Sequence, residues 1–117
     1  MTTTTTLSFT DILAGSSKII ETRTVIADAA NDRAAGTVMG KISASGKYVE
    51  YDDDGTDDGR RVAIGVLMSD IPKGSADAKA PILLLGTVRR AALTGLDANG
   101  EEDLNARGVH MDTESLA

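Results

Sequence analysis

The chain has 117 residues, with 12 basic and 18 acidic side chains, one histidine and no cysteine, for a formal net charge of −6. A chain of this length is expected to form one domain with a modest core. We do not expect the chain to bind nucleic acid, because phosphate binding requires a basic surface and the net charge is negative. The lack of cysteine excludes disulfides and thiolate chemistry, and a single histidine, His110, cannot build a multi-histidine metal site.

The first residues give no sign of a targeting segment. Met1 is followed by five threonines, without the basic residues and apolar stretch of a signal peptide. The longest aliphatic run, residues 82–85, is far shorter than the roughly 20 residues that a membrane helix requires. We therefore expect a soluble protein that is made in the cytoplasm and has neither a membrane nor a nucleic acid as partner.

Residues 1–27 are expected to form an extended N-terminal arm, and residues 28–117 a compact β-rich domain. The threonine run has no apolar residue to bury. Two interpretations of the first residues remain open, namely a frayed terminus and a tether that becomes ordered on a partner. The second rests on four large apolar residues within seven positions: Leu7, Phe9, Ile12 and Leu13.

The second part of the arm, residues 18–27, predicts a strand, because it is rich in β-branched residues and contains neither glycine nor proline. Its two faces are mixed rather than cleanly apolar and polar. Such a pattern suits an edge strand, or a strand added to another sheet, better than a central strand. One face carries Ile20, Thr22, Thr24 and Ile26, and the other carries Glu21 and Arg23.

The pattern of residues 28–117 predicts a mainly β fold, namely a small single-domain β-barrel or β-sandwich with one short helix. Ser45-Gly46 predicts a hairpin turn. Acidic residues ahead of Arg107 and Gly108 predict a short helix that ends there, after a turn at Asn99-Gly100. The predicted strands are Ala35–Ile42, Lys47–Tyr51, Arg61–Met68, Pro81–Val88 and Val109–Met111.

The aliphatic run within the fourth of these strands predicts burial on both faces. Either the core of the chain or another subunit would cover the second face. The residues concerned are Ile82, Leu83, Leu84 and Leu85.

An acidic loop follows the hairpin, with six of the 18 acidic residues between Glu50 and Asp58. With Gly55 at the sixth position of a calcium-binding loop, three acids fall in register, but the twelfth position is Arg61, which cannot bind a cation. A solvated turn is therefore the favoured interpretation, and we expect neither a metal nor a cofactor. The alternative left open is a small β-barrel ligand-binding or carrier module that uses this loop.

Catalytic residues are not expected. The acidic loop offers no apolar pocket that would raise the pKa of one carboxyl group for acid–base work. His110 has no evident nucleophile or carboxylate partner, and no Gly-x-Ser-x-Gly motif is present. A hydrolase that uses His110 is the third interpretation kept open.

Several segments, in their order and spacing, resemble the head decoration proteins of tailed bacteriophages, the lambda head protein D family. The resemblance extends over residues 17–111, and the order of the segments carries it rather than any single motif. The segments are Ala35–Val49, the start of the acidic loop at Tyr51-Asp52, its end at Asp58-Gly59, then Val62–Leu67, Ile82–Leu93 and Asn105–Gly108.

This resemblance implies a non-enzymatic capsid protein, with no cofactor, that forms homotrimers on the outer surface of the expanded phage head. It also implies that the arm becomes ordered on the major capsid protein by adding a strand to it. The resemblance matches the arm by position only. The expected capsid-binding residues are Phe9, Ile12, Leu13, Ile19, Ile20, Thr22, Thr24 and Ile26, and the candidates for the trimer interface are Ile82, Leu83, Leu84 and Leu85.

Overall fold

The computed structural model describes residues 18–28, 30–74 and 76–112. The expected arm residues Phe9, Ile12 and Leu13 lie outside them. The fold is mainly β, with one α-helix, α1 (Ala98–Ala106), and one 3-10 turn (Arg90–Ala92). The strands are β1 (Ile19–Val25), β2 (Val38–Lys41), β3 (Tyr48–Glu50), β4 (Gly65–Leu67), β5 (Ala78–Arg89) and β6 (Val109–Asp112).

Five strands close into a barrel in the order β1-β3-β2-β4-β5, with β1 returning to β5. The β1–β5 contact is an antiparallel ladder that runs from Ile19 opposite Leu85 to Val25 opposite Ala78. The β1–β3 contact is parallel and limited to Val25 opposite Tyr48. β6 pairs in parallel with the end of β5, outside the barrel. The predicted fold class, a small β-barrel with one short helix, is confirmed.

β5 is covered on both faces because two apolar clusters lie on opposite sides of the barrel wall. Alternate residues of a strand point to opposite faces. Ile82 belongs to a cluster with residues from all five barrel strands, which fills the interior. Leu83 belongs to a second cluster, which packs the outside of the wall against α1 and β6. The chain's own core therefore buries Ile82 and Leu83 on opposite faces, whereas Leu84 is half-buried and Leu85 is exposed, so the predicted burial is wrong for the end of the run.

β5 begins at Ala78, so the predicted start at Pro81 is wrong. Proline lacks a backbone N–H and is disfavoured inside a sheet unless that group would have no ladder partner. The Pro81 carbonyl accepts a hydrogen bond from the Met68 amide at 2.9 Å, just beyond the end of β4. The N–H and C=O of one strand residue point to the same side of the strand. The N–H that Pro81 lacks would therefore point towards the β4 side, just beyond the last residue of β4, so no ladder hydrogen bond within β4 is lost.

Helix α1 begins at Ala98, so Asn99 and Gly100 lie in its first turn and the predicted turn there is wrong. Asp97 caps this end. One of its carboxylate oxygens accepts hydrogen bonds from the Gly100 amide and from the Tyr51 hydroxyl, each at 2.7 Å. A Cβ on Gly100 would lie 2.8 Å from the Tyr51 ring, so glycine allows the helix to approach the barrel wall. The predicted end of the helix, before Gly108, is confirmed.

These hydrogen bonds stabilise the charged form of the cap. Donation from the Tyr51 hydroxyl, followed by donation from the Gly100 amide, lowers the pKa of the Asp97 carboxyl group. Burial, with a contribution from Asp97, raises the pKa of Tyr51, so its hydroxyl stays a donor at neutral pH. The contact joins α1 to the residue that follows β3.

Gly65 of β4 lies in close contact with β5. A Cβ at this position would lie 2.6 Å from Ile82 Cγ2 and 2.8 Å from the Leu83 carbonyl oxygen. The second of these contacts is to backbone, which has little freedom to move. Gly74 provides a matched comparison, because a methyl group added there would have no atom within 4 Å.

We expect Gly65→Ala to lower the free energy of unfolding by about 1–3 kcal/mol, because the added methyl overpacks the barrel wall. Gly74→Ala should be neutral or slightly stabilising, since it reduces the entropy of the unfolded chain without a clash. Urea denaturation followed by circular dichroism measures both. Equal stability of the two variants would contradict the close approach at Gly65.

We expect Asp97→Ala to cost about 1–3 kcal/mol at pH 7, because it removes the cap and the acceptor of the Tyr51 hydroxyl. The folded-state pKa lies below the unfolded value, so the contribution is present above about pH 4 and is lost as the pH falls through the folded pKa. The difference from the wild type should therefore shrink on acidification. Urea melts from pH 7 to pH 2 test this, with Asp57→Ala on the exposed acidic loop as control.

Candidate functional site

The edge of β1 that faces away from β5 is open along most of its length. Within the described part of the chain, the only ladder partner on this side is Tyr48, opposite Val25. The stretch Ile19–Thr24 therefore presents backbone groups that a further strand could pair with. Charges flank this edge, since Arg23 forms an ion pair with Glu21 at 2.5 Å. Charged side chains limit uncontrolled pairing at such an edge.

The predicted arm residues within the described range all lie on or next to β1. Val25, beside them, is fully buried in the barrel interior, so this part of the expected arm is a barrel strand. Ile20 packs against the outer core. Ile19 and Thr22 are exposed, and Thr24 and Ile26 are half-buried.

An exposed apolar pair lies where β1 begins. Ile19 and Leu85 face each other across the β1–β5 ladder and are 46% and 39% exposed. Among the described residues, Val62 is the only other large apolar side chain in the exposed class. Large contiguous apolar patches mark surfaces that bind other proteins, and these two side chains are a candidate part of one.

The candidates for the trimer interface differ in the surface that they offer. Ile82 and Leu83 are fully buried within the chain. Leu84 is half-buried and Leu85 is exposed. Only the last two members of the run have side-chain surface that a second chain could contact.

The acidic loop is held by contacts within itself and by hydrogen bonds from Asn99 of α1 to the Asp53 carboxylate and from the Ser43 amide to the Asp58 carbonyl. Arg60 forms an ion pair with Asp58 at 2.8 Å, and this contact lowers the pKa of the Asp58 carboxyl group. Arg61 donates a hydrogen bond to the Gly55 carbonyl at 2.8 Å. The Asp52 side chain accepts a hydrogen bond from the Asp54 amide, which is typical of an aspartate-rich turn. The loop therefore places Arg61 at the twelfth position, where a calcium loop needs a ligand, and pairs the Asp58 carboxylate with Arg60.

Neither a metal centre nor a membrane span is found in the described ranges. No three His, Asp or Glu side chains there converge as ligands. No described helix is long and apolar enough to cross a membrane. His110 lies exposed on β6, opposite Thr87 of β5.

The structure contains a cavity at one end of the barrel that the sequence does not predict. Its volume is ≈ 790 Å³, and its walls include Lys41, Tyr48, Val62, Leu84 and Arg107. These residues come from β2, β3, the loop before β4, β5 and the residue after α1. No sequence pattern links such distant positions, so only barrel closure brings them together.

The family model for bacteriophage lambda head decoration protein D matches residues 2–109. The chain belongs to this family. The match takes in the barrel, α1, the start of β6 and the residues ahead of β1. Among curated proteins, none matches the chain. The family match confirms the resemblance inferred from the sequence. The family consists of structural capsid decoration proteins rather than enzymes, and membership implies an association with the phage head.

We expect calcium to leave the thermal midpoint of the protein unchanged, because Arg60 already occupies the Asp58 carboxylate. A site with a dissociation constant of about 0.1 mM would add about 2.7 kcal/mol of stability at 10 mM calcium. Thermal melts with calcium, and with magnesium at equal ionic strength, measure this. A saturable stabilisation specific to calcium would instead favour the ligand-binding alternative.

Proposed function

We propose that the protein is a non-enzymatic cement protein that binds the outer surface of the expanded phage head as a homotrimer. Residues ahead of the barrel would add a strand to the major capsid protein and so stabilise the shell. The observation that carries the proposal is the family match, which starts at residue 2 and therefore includes the segment before β1. Synthesis in the host cytoplasm would precede this binding.

The barrel architecture supports different roles for the two parts of the arm, residues 1–17 and the residues of β1. β1 pairs with β5 along its length and supplies Val25 to the core, so moving β1 to another protein would open the barrel. We therefore assign strand addition to residues 1–17, with Phe9, Ile12 and Leu13 as the apolar contacts. Ile20, Thr22, Thr24 and Ile26 would act from their positions on and beside β1, next to its open edge.

The energetics favour binding through several arms at once. Ordering a segment costs about 1–2 kcal/mol per residue in backbone entropy. Strand hydrogen bonds and burial of apolar side chains offset this cost, but leave one arm a weak ligand. Linking binding sites raises the effective affinity by about 10²–10⁴. A trimer that binds only the expanded shell stabilises that state by differential affinity.

In the exposed pair, Ile19 is the proposed contribution of this region to the capsid contact of the arm, and Leu85 is its proposed contribution to contacts between subunits. Both side chains lie on the surface beside the start of β1. Leu84, half-buried and next in sequence to Leu85, would widen the contact. A specific interface buries about 800 Å² on each partner, so this patch would form only part of it.

Deletion of residues 2–17 should abolish binding to expanded heads and leave the barrel folded, because β1 remains in place. Deletion of residues 2–26 should also destabilise the barrel, since it removes β1 and Val25. Deletion of the threonines at 2–6 is the matched control and should retain binding. Co-sedimentation with expanded and unexpanded heads, with thermal melts of each variant, measures these effects.

Full binding by the variant that lacks residues 2–17 would show that the segment ahead of the barrel is not the capsid-binding element. Equal binding of the wild type to expanded and unexpanded heads would contradict the proposed stabilisation of the expanded state.

A further inference from the structure

The cavity at the end of the barrel carries two positive charges that the described chain leaves unpaired. Lys41 is the last residue of β2 and Arg107 directly follows α1. Neither forms an ion pair within the described ranges. Other cations of the chain do pair with carboxylates, among them Arg23 with Glu21, Arg60 with Asp58, and Arg90 with Glu101.

Lys73 and Lys79 also form no ion pair within the described ranges, so the feature that distinguishes Lys41 and Arg107 is that both line the same cavity. The acidic loop lies beside the cavity, since the Asp58 carbonyl accepts a hydrogen bond from the Ser43 amide and Ser43 lines the cavity. Its Asp58 side chain is nevertheless taken by Arg60. The cavity therefore offers positive charge to a ligand from outside the described chain.

The walls indicate which kind of acidic ligand would fit. Val62, Ile64 and Leu84 provide aliphatic surface, and Val62 is 42% exposed. A small anion would leave this surface uncovered. A peptide segment with carboxylates between aliphatic side chains would satisfy both the cations and the walls. The volume of ≈ 790 Å³ lies within the range of ligand pockets.

The position of the cavity indicates where such a segment would come from. Leu84 lines the cavity, and the next residue, Leu85, pairs with Ile19 at the start of β1. The segment ahead of β1 thus leaves the barrel at the same end of the β1–β5 ladder. A partner bound through that segment would lie against the cavity.

We propose that this cavity receives an acidic, aliphatic segment of the major capsid protein. Carboxylates of that segment pair with Lys41 and Arg107, and its aliphatic side chains pack against Val62 and Leu84. This inference rests on the proposed function, and it adds a second contact that is independent of strand addition.

The double variant Lys41→Gln/Arg107→Gln tests the inference against the double variant Lys73→Gln/Lys79→Gln. All four side chains are exposed, so both variants should fold, and a thermal melt checks this. We expect the first variant to bind expanded heads at least about tenfold more weakly, with a weaker dependence on salt. The second variant should bind within about twofold of the wild type.

Zero-length cross-linking with a carbodiimide provides a direct test, because it joins an amine to a carboxylate only when the two are in contact. We expect an amide between Lys41 and an acidic residue of the major capsid protein in decorated heads, identified by mass spectrometry. A Lys41 cross-link to this chain or to a second copy instead would overturn the choice of partner.

The two proposals fail in different ways. If the wild type does not bind heads, the proposed function is wrong. If the wild type binds, the deletion of residues 2–17 abolishes binding, and the Lys41/Arg107 variant binds like the wild type, only the cavity proposal is wrong.

Discussion

The antiparallel ladder between β1 and β5 is the interaction on which the rest of the molecule depends. It closes a barrel whose other β1 contact is a single pair, Val25 opposite Tyr48. Closure creates an interior for Ile82 and leaves an outer wall on which α1 and β6 pack. It also places Ile19, the first residue of β1, beside exposed Leu85 and near a cavity whose two cations have no ion pair in the described part of the chain.

In the proposed function, this closure separates two roles within one continuous N-terminal stretch. A strand that fills the barrel wall is not available to another sheet without loss of the core. β1 therefore provides an anchor of fixed position, while the residues before it are the part that we assign to the shell. The open edge from Ile19 to Thr24, with its Glu21–Arg23 ion pair, belongs to β1 itself.

Much of the fold was predictable from local patterns. β-branched content located β1, the Ser45-Gly46 turn located the β2–β3 hairpin, and the aliphatic run located the centre of β5. The errors arise where contacts between distant residues decide the outcome. Pro81 lies inside β5 because β4 has ended beside it, and Gly100 lies inside α1 because the Tyr51 ring packs against it.

The candidate site was less predictable than the fold, for the same reason. The aliphatic run indicated burial on both faces, but only the structure shows that Ile82 and Leu83 are covered by their own chain while Leu85 stays exposed. The cavity gathers residues from Lys41 to Arg107, which have no common spacing. Such a site depends on barrel closure and has no signature in a single sequence.

Hydrogen–deuterium exchange of the protein, free and bound to expanded heads, tests the central claim most directly. We expect the β1 amides that pair with β5 to be protected already in the free protein. Protection gained on binding should then appear chiefly in residues before Lys18. Rapid exchange throughout β1 in the free protein, with protection acquired only on the head, would show that β1 is a capsid-binding strand rather than part of the barrel.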